Sequence, residues 1–176
     1  MFWAPILNDE ACDDIITMME DYGKWSGGND NNNDPRLSNG YENVPTVDIH
    51  FTQINFQKHW LFFLKQFVQP IQMRVFDGYY SETPRVDLNF VVRYRPGEQD
   101  HLRPHNDASK YTINIALNRP KVDFEGGGCR FVSQNCTVTQ TRKGWLFLHP
   151  GRLTHFHEGL KVLKGTRYIL VSFVDN

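Results

Sequence analysis

The chain has 176 residues, a formal net charge of −1 at pH 7, and hydrophobic side chains at 40% of its positions. This length fits one domain with a single buried core, so we predict one domain over residues 1–176. The near-neutral charge excludes a general nucleic-acid binder, which needs a basic face. Apolar runs stay short of the roughly 18 residues of a membrane span, and the start lacks the features of a signal peptide.

The first predicted element is an amphipathic helix over Leu7–Tyr22, which Asn8 caps and Gly23 ends. Asn, Asp, Gly and Ser dominate residues 27–43, a composition that cannot bury enough apolar surface to order itself. We therefore predict a mobile surface loop there, with a lid that orders over substrate as the alternative.

Helical spacing of aromatic and aliphatic residues over Phe56–Phe76 predicts a second helix, interrupted at Pro70, whose apolar stripe packs across the back of a sheet. A strand is predicted before it, over Thr46–Ile54. Later strand patterns, separated by Gly-rich turns, predict a mostly antiparallel two-sheet β structure behind one or two helices. They cover Val86–Arg95, Thr112–Leu117, Cys129–Val132, Thr137–Thr139, Trp145–Leu148 and Arg167–Val174.

Three cysteines are too few for a disulfide scaffold. Cys129 and Cys136 flank a predicted tight turn and could face each other across a hairpin. Both a disulfide bridge and two free thiols are compatible with the sequence.

Metal-ligating side chains occur in R-P-H-N-D-A-S-K-Y-T-I-N-I-A-L-N, where His105 and Asp107 are two residues apart. Residues i and i+2 of an extended segment point to the same face, so the two side chains can converge on one metal ion. The segment L-H-P-G-R-L-T-H-F-H-E-G offers His149, His155 or His157 as a third ligand. Two histidines and one carboxylate are the ligand set of non-haem Fe(II) oxygenases.

The last predicted strand carries an arginine on its more apolar face, because Arg167 alternates in phase with Ile169, Val171 and Phe173. A buried charge needs a partner, and arginine is suited to a two-pronged grip on a carboxylate. The partner is either an internal acidic side chain or the far carboxylate of a bound 2-oxo acid, unless Arg167 lies too near the strand end to be buried. With a bound 2-oxo acid, the acid reaches the metal through its C1 carboxylate and keto oxygen, and its oxidation to succinate and CO₂ drives hydroxylation.

From Asp87 onward the chain closely resembles the C-terminal catalytic domain of the collagen lysyl hydroxylases. The resemblance is carried by the segments quoted above together with R-Y-R-P-G-E-Q, D-F-E-G-G-G-C-R-F and K-G-T-R-Y-I-L-V-S-F-V-D. The resemblance implies a double-stranded β-helix (jelly-roll) core that uses Fe(II), 2-oxoglutarate, O₂ and ascorbate. It implies His105, Asp107 and His157 as metal ligands and Arg167 as the 2-oxoglutarate arginine. By the same resemblance Tyr94 and Asn114 line the 2-oxoglutarate pocket, and Cys129 lies beside it.

The resemblance also implies the reaction, which is hydroxylation of lysine at C5 in collagen-type X-Lys-Gly sequences. For so cationic a substrate we expect acidic residues at the mouth of the site, with Asp123, Glu125 and Glu158 as candidates. Full-length relatives are dimeric and reside in the endoplasmic reticulum lumen, so a homodimer is expected. They also carry glycosyltransferase-type domains, which this sequence does not contain, so glycosyl transfer is not expected of this chain. The alternatives are a prolyl hydroxylase, a jelly-roll module that binds collagen or glycan without turnover, and a zinc hydrolase.

Overall fold

The computed structural model describes residues 1–28, 45–76 and 85–175, so residues 29–43 of the predicted loop lie outside the described residues. The helices are α1 (Asp9–Tyr22), α2 (Gln57–Phe63) and α3 (Gln69–Val75), and a π-helical turn (Leu64–Val68) joins α2 to α3. The strands are β1 (Phe2–Pro5), β2 (Asp48–His50), β3 (Arg85–Tyr94), β4 (Leu102–His105), β5 (Tyr111–Ala116), β6 (Phe124–Gly126), β7 (Cys129–Phe131), β8 (Cys136–Val138), β9 (Trp145–Pro150), β10 (His157–Gly159), β11 (Val162–Gly165) and β12 (Arg167–Asp175).

The strands form a six-stranded sheet in the order β1-β9-β5-β12-β3-β2, a four-stranded sheet in the order β4-β10-β7-β8, and a small pair, β11-β6. Every strand pair in these sheets is antiparallel, which confirms the predicted two-sheet β architecture. None of the helices in the described ranges combines the length and apolarity that a bilayer crossing requires.

Helix α1 forms as its sequence predicts. The Asn8 side chain accepts a hydrogen bond from the Ala11 N–H, and Gly23 closes the helix with φ of 66° and an N–H bonded to Met19 O. One face of the helix is buried through Cys12, Ile15 and Met19.

Two predictions for the following segment are wrong in detail. The strand expected over Thr46–Ile54 is limited to β2, because the chain turns after His50 and Asn55 adopts φ of 58°. Pro70 does not interrupt the helix, since it lies in the first turn of α3, directly after the π-helical turn. Proline is tolerated at this position because N–H groups in the first turn of a helix need no intrahelical acceptor, so its missing N–H costs nothing. The widened π-helical turn also lies directly before its ring.

The six-stranded sheet buries both of its faces. On one face, Trp60, Leu64 and Val68 of the helical segment pack in a cluster with Ile113 and Leu170 of the sheet, which confirms the predicted packing of the stripe behind the sheet. The other face holds a second apolar cluster that includes Phe90, Val92, Tyr94, Phe124 and Val171. Alternation along each strand divides the side chains between the two faces.

The two cysteines of the predicted hairpin do not face each other. The pairing of β7 with β8 places Cys129 opposite Val138 and Cys136 opposite Phe131. Both cysteines are free and half-buried, so the predicted face-to-face arrangement is wrong and no bridge joins them.

The buried hydrogen bond between Trp60 Nε1 and Ser172 Oγ, 2.9 Å long, joins the helical layer to the sheet. We expect Ser172→Ala to lower the free energy of unfolding by about 1–3 kcal/mol, because it leaves the Trp60 N–H buried without an acceptor. Urea unfolding measures the change, with Ser133→Ala at an exposed position as the control. Equal stabilities of the two variants would contradict the expectation.

Candidate metal centre

The smaller sheet brings two of the candidate ligands together. Strand β4 ends at His105, β10 begins at His157, and the antiparallel register places the two residues directly opposite each other. Directly opposed residues share a face of the sheet, and the two imidazole ring centroids lie 4.4 Å apart. Asp107 follows two residues after His105 and turns its carboxylate into the same space.

The three side chains have the spacing of a metal site. Asp107 Oδ1 lies 3.2 Å from His105 Nε2 and 3.7 Å from His157 Nε2. All three ligand atoms lie within 4.8 Å of one another. Ligands at right angles on a first-row metal, with bonds of about 2.1 Å, are about 3 Å apart. The site therefore needs only a small adjustment to hold such an ion.

Backbone carbonyls orient both rings. His105 Nδ1 lies 2.8 Å from Arg103 O, and His157 Nδ1 lies 2.8 Å from His155 O. A carbonyl oxygen only accepts, so each Nδ1 carries the proton and each Nε2 is left to bind a metal.

A hydrogen bond to the second carboxylate oxygen, Oδ2, holds the Asp107 side chain in place. Thr112 Oγ1 donates to Asp107 Oδ2 over 2.5 Å, and Ser109 Oγ lies 2.9 Å from the same threonine hydroxyl. Thr112 is not among the residues predicted from the sequence, although it lies two residues before Asn114 on one face of β5. This hydrogen bond leaves Oδ1 directed at the two histidines.

Electrostatics keep the carboxylate charged. Burial favours the neutral acid, but the hydrogen bond with His105 and the electrostatic attraction of the His157 and His149 rings outweigh burial and lower the pKa of Asp107 well below its usual range. Burial opposes protonation of His105, yet its hydrogen bond to Asp107 raises its pKa. A metal ion would take the place of the second proton on His105.

The other two candidate histidines lie outside this group. His149 is fully buried, and its Nε2 lies 3.9 Å from Asp107 Oδ2 and 3.1 Å from Asn114 Nδ2. Burial lowers the pKa of His149 to about 4. His155 lies beside Thr154, whose Oγ1 is 2.9 Å from its Nδ1. Among the described residues, the side chains placed to hold a metal are His105, Asp107 and His157.

A cavity of about 150 Å³ opens onto these ligands and runs between the two sheets. Its walls include all the remaining residues that the sequence analysis assigned to the site: Tyr94, Asn114, Cys129 and Arg167. Burial raises the pKa of the Cys129 thiol to about 12, and burial also raises the pKa of Tyr94, so both groups are neutral at physiological pH.

Arg167 is 6% exposed and is a cation on the cavity wall. The register places it opposite Tyr94, its guanidinium carbon is 5.9 Å from that ring, and Nη1 donates to Gly128 O over 3.2 Å. No carboxylate in the described ranges pairs with it, so the internal ion pair considered from the sequence is not found there. Its strand neighbours Ile169, Val171 and Phe173 line the same cavity, as alternation predicts.

A glycine makes room for this arginine. A Cβ on Gly127, which has φ of 67°, would come within 3.0 Å of Arg167 Cδ. In the run E-G-G-G-C the backbone therefore passes close to a buried side chain, which requires a glycine.

The acidic residues expected at the mouth do not line the cavity. Glu125 lies 3.4 Å from Lys164 Nζ, Glu158 pairs with Arg130, and the Asp123 carboxylate accepts the N–H of Arg119. Each of these carboxylates pairs with a nearby group, and their place at the substrate mouth stays a prediction. Within the described part of the chain, Asp107 is the only acidic residue of the cavity wall.

Comparison with known proteins agrees with this geometry. The chain is 55% identical to the procollagen-lysine,2-oxoglutarate 5-dioxygenase of Drosophila melanogaster and 56% identical to procollagen-lysine,2-oxoglutarate 5-dioxygenase 1 of Gallus gallus, in each case over 99% of this chain and 24% of the relative. The resemblance to lysyl hydroxylases is thereby confirmed, and the chain spans about a quarter of the length of these relatives.

The fold has a close match among solved structures. The 2OG complex of the viral collagen prolyl hydroxylase from Paramecium Bursaria Chlorella virus-1 matches with a TM-score of 0.64 and 17% identity, over 99% of this chain and 96% of that one. This likeness confirms the predicted double-stranded β-helix (jelly-roll) fold. Residues 86–176 match the family described as the 2OG-Fe(II) oxygenase superfamily, and the chain belongs to that superfamily.

Proposed function

We propose that this chain hydroxylates lysine at C5 in collagen-type X-Lys-Gly sequences, with Fe(II) and 2-oxoglutarate, and yields 5-hydroxylysine, succinate and CO₂. The observation that carries the proposal is one cavity that joins a His-Asp-His cluster to a buried arginine with no carboxylate partner among the described residues. The 55% identity to procollagen-lysine dioxygenases over nearly the whole chain supports lysine as the target.

The ligand set fits Fe(II). The Nε2 atoms of His105 and His157 and Oδ1 of Asp107 would hold the ion, since two neutral imidazoles and one carboxylate leave coordination positions open. When bound, Fe(II) supplies the activation of O₂, with 2-oxoglutarate as the electron donor and ascorbate as the reductant that maintains the ferrous state.

The protein binds the co-substrate through its own charged and polar groups. Arg167 offers a planar fork of donors that matches a carboxylate, and its guanidinium is buried on the cavity wall. The neutral Tyr94 phenol and the Asn114 carboxamide supply further polar contacts on the same wall. Ile169 and Val171 are apolar neighbours that exclude water from this end of the cavity.

The alternatives have weaker support. Prolyl hydroxylases share the fold, but at 17% identity that likeness concerns the fold alone. A binding module without turnover has no use for three clustered metal ligands and, in the same cavity, a buried arginine that no described carboxylate pairs with, because a buried charge without a partner destabilises the fold. A zinc hydrolase needs a general base near the metal, and Asp107 is already engaged as a ligand candidate.

The resemblance to collagen lysyl hydroxylases suggests a wider context for the reaction. We propose a collagen-like polypeptide as the partner, the endoplasmic reticulum lumen as the compartment, and a homodimer as the assembly. Light scattering over a range of protein concentrations tests the dimer, and a mass of one chain throughout would contradict it.

We expect His105→Ala, Asp107→Ala and His157→Ala each to reduce Fe(II) affinity and lysine-dependent succinate formation by on the order of 100-fold or more, because each removes one of three ligands. Equilibrium dialysis and a succinate assay measure the two effects. His155→Ala is the matched control, since His155 is not one of the three clustered ligands and the substitution keeps the backbone carbonyl that holds His157 Nδ1. Full activity in any of the three ligand variants would refute the site assignment.

We expect Arg167→Gln to raise the KM for 2-oxoglutarate by about 10- to 100-fold and to leave Fe(II) binding unchanged, because a charge-assisted bond to the far carboxylate is lost. Steady-state kinetics at varied 2-oxoglutarate, with metal content measured in parallel, test this. Arg130→Gln removes an exposed arginine as the control. An unchanged KM in Arg167→Gln would rule out the assigned role.

A peptide with repeated Pro-Lys-Gly and one with repeated Pro-Pro-Gly distinguish lysine from proline as the target. We expect mass spectrometry to find one added oxygen on lysine of the first peptide and none on the second. Oxidation of proline in either peptide would favour the prolyl hydroxylase alternative. Binding of the first peptide without release of CO₂ from 2-oxoglutarate would favour the non-catalytic module.

A further inference from the structure

His149 is a buried polar side chain beside the metal centre that is not among the metal ligands. It lies near the end of β9, with a residue exposure of 0%. Its strand neighbours Phe147 and Trp145, two and four residues earlier, both line the cavity, so alternation directs the imidazole to the cavity side of the sheet.

The hydrogen bonds of His149 define the state of its ring. Nδ1 lies 2.9 Å from Pro150 O, and a carbonyl can only accept, so Nδ1 carries a proton. On the other side, Nε2 lies 3.1 Å from Asn114 Nδ2, and an amide nitrogen can only donate. His149 Nε2 is therefore an acceptor, and Asn114 is its donor.

This bond determines which way the Asn114 carboxamide faces. A carboxamide can rotate by half a turn and exchange its oxygen for its nitrogen at nearly the same position. With one N–H given to His149, the Asn114 oxygen and its second N–H are left for the cavity that Asn114 lines. A flipped amide would set two acceptors, Oδ1 and Nε2, against each other in a buried place.

The His149 ring also packs against its surroundings. Its centroid lies 5.1 Å from those of both His157 and Phe131. A purely structural role would act through these contacts, whereas a positioning role would act through Asn114.

We propose that His149 is a positioning residue that fixes the Asn114 carboxamide so that its second N–H is presented to an oxygen of 2-oxoglutarate. This inference rests on the proposed function, because it takes 2-oxoglutarate as the ligand of the cavity. For this role of His149, the hydrogen-bond acceptor Nε2 is essential and the aromatic ring is secondary.

Two substitutions separate these features. His149→Phe keeps an aromatic ring against His157 and Phe131 but has no acceptor, and His149→Gln loses the ring but keeps a carbonyl oxygen that can accept from Asn114. We expect His149→Phe to weaken 2-oxoglutarate binding about tenfold and His149→Gln to weaken it by less than about threefold. Calorimetry on protein loaded with Mn(II) measures this binding without turnover.

A double-mutant cycle with Asn114→Ala completes the test. If His149 acts through Asn114, His149→Phe changes the Kd for 2-oxoglutarate by less than about twofold in the Asn114→Ala background. An equal loss in both backgrounds, or wild-type affinity in His149→Phe, would overturn the inference. Should His149→Phe fail to fold by circular dichroism, His149→Leu takes its place in the cycle.

The same experiment separates this inference from the proposed function. Wild-type protein loaded with Mn(II) that does not bind 2-oxoglutarate would overturn both. Wild-type protein that binds 2-oxoglutarate, together with a His149→Phe variant that binds it equally well, would overturn the role of His149 alone.

Discussion

The antiparallel pairing of β4 with β10 creates the candidate metal centre, because it places His105 directly opposite His157. Neither strand is long, and each histidine lies at a strand end, so the pairing register alone decides that the two rings meet. Backbone carbonyls two residues earlier then set both rings with Nε2 directed at Asp107. A slip of one residue would turn one of the imidazoles to the other face of the sheet.

The larger sheet supplies the second half of the site by the same physical rule. Alternation along β12 sends Arg167, Ile169 and Val171 to the cavity and leaves Leu170 and Ser172 for the helical layer. Because Arg167 is buried without a carboxylate partner in the described ranges, the fold bears an uncompensated charge that an anionic ligand can relieve. Candidate metal ligands on one sheet and a cation on the other make the space between them suited to a dicarboxylate.

Local patterns were sufficient to predict the features that depend on neighbouring residues, such as the Asn8 cap, the apolar stripe at Trp60 and the phase of Arg167. They could not choose among His149, His155 and His157, because that choice depends on the pairing of distant strands, and the resemblance to lysyl hydroxylases supplied it. Strands β4 and β10 were not predicted from the sequence, because both are short and they contain Pro104 and Gly159, respectively. The role of His149 also required the structure, since its partner Asn114 lies on another strand.

We propose that His105, Asp107 and His157 bind the metal while Arg167 binds the far carboxylate of 2-oxoglutarate in the same cavity. A crystal structure with Mn(II) and 2-oxoglutarate is the decisive experiment. We expect metal bonds to both Nε2 atoms and to the Asp107 carboxylate, and a carboxylate of the ligand on the Arg167 guanidinium. A metal bound by His149 or His155, or a 2-oxoglutarate that makes no contact with Arg167, would contradict it.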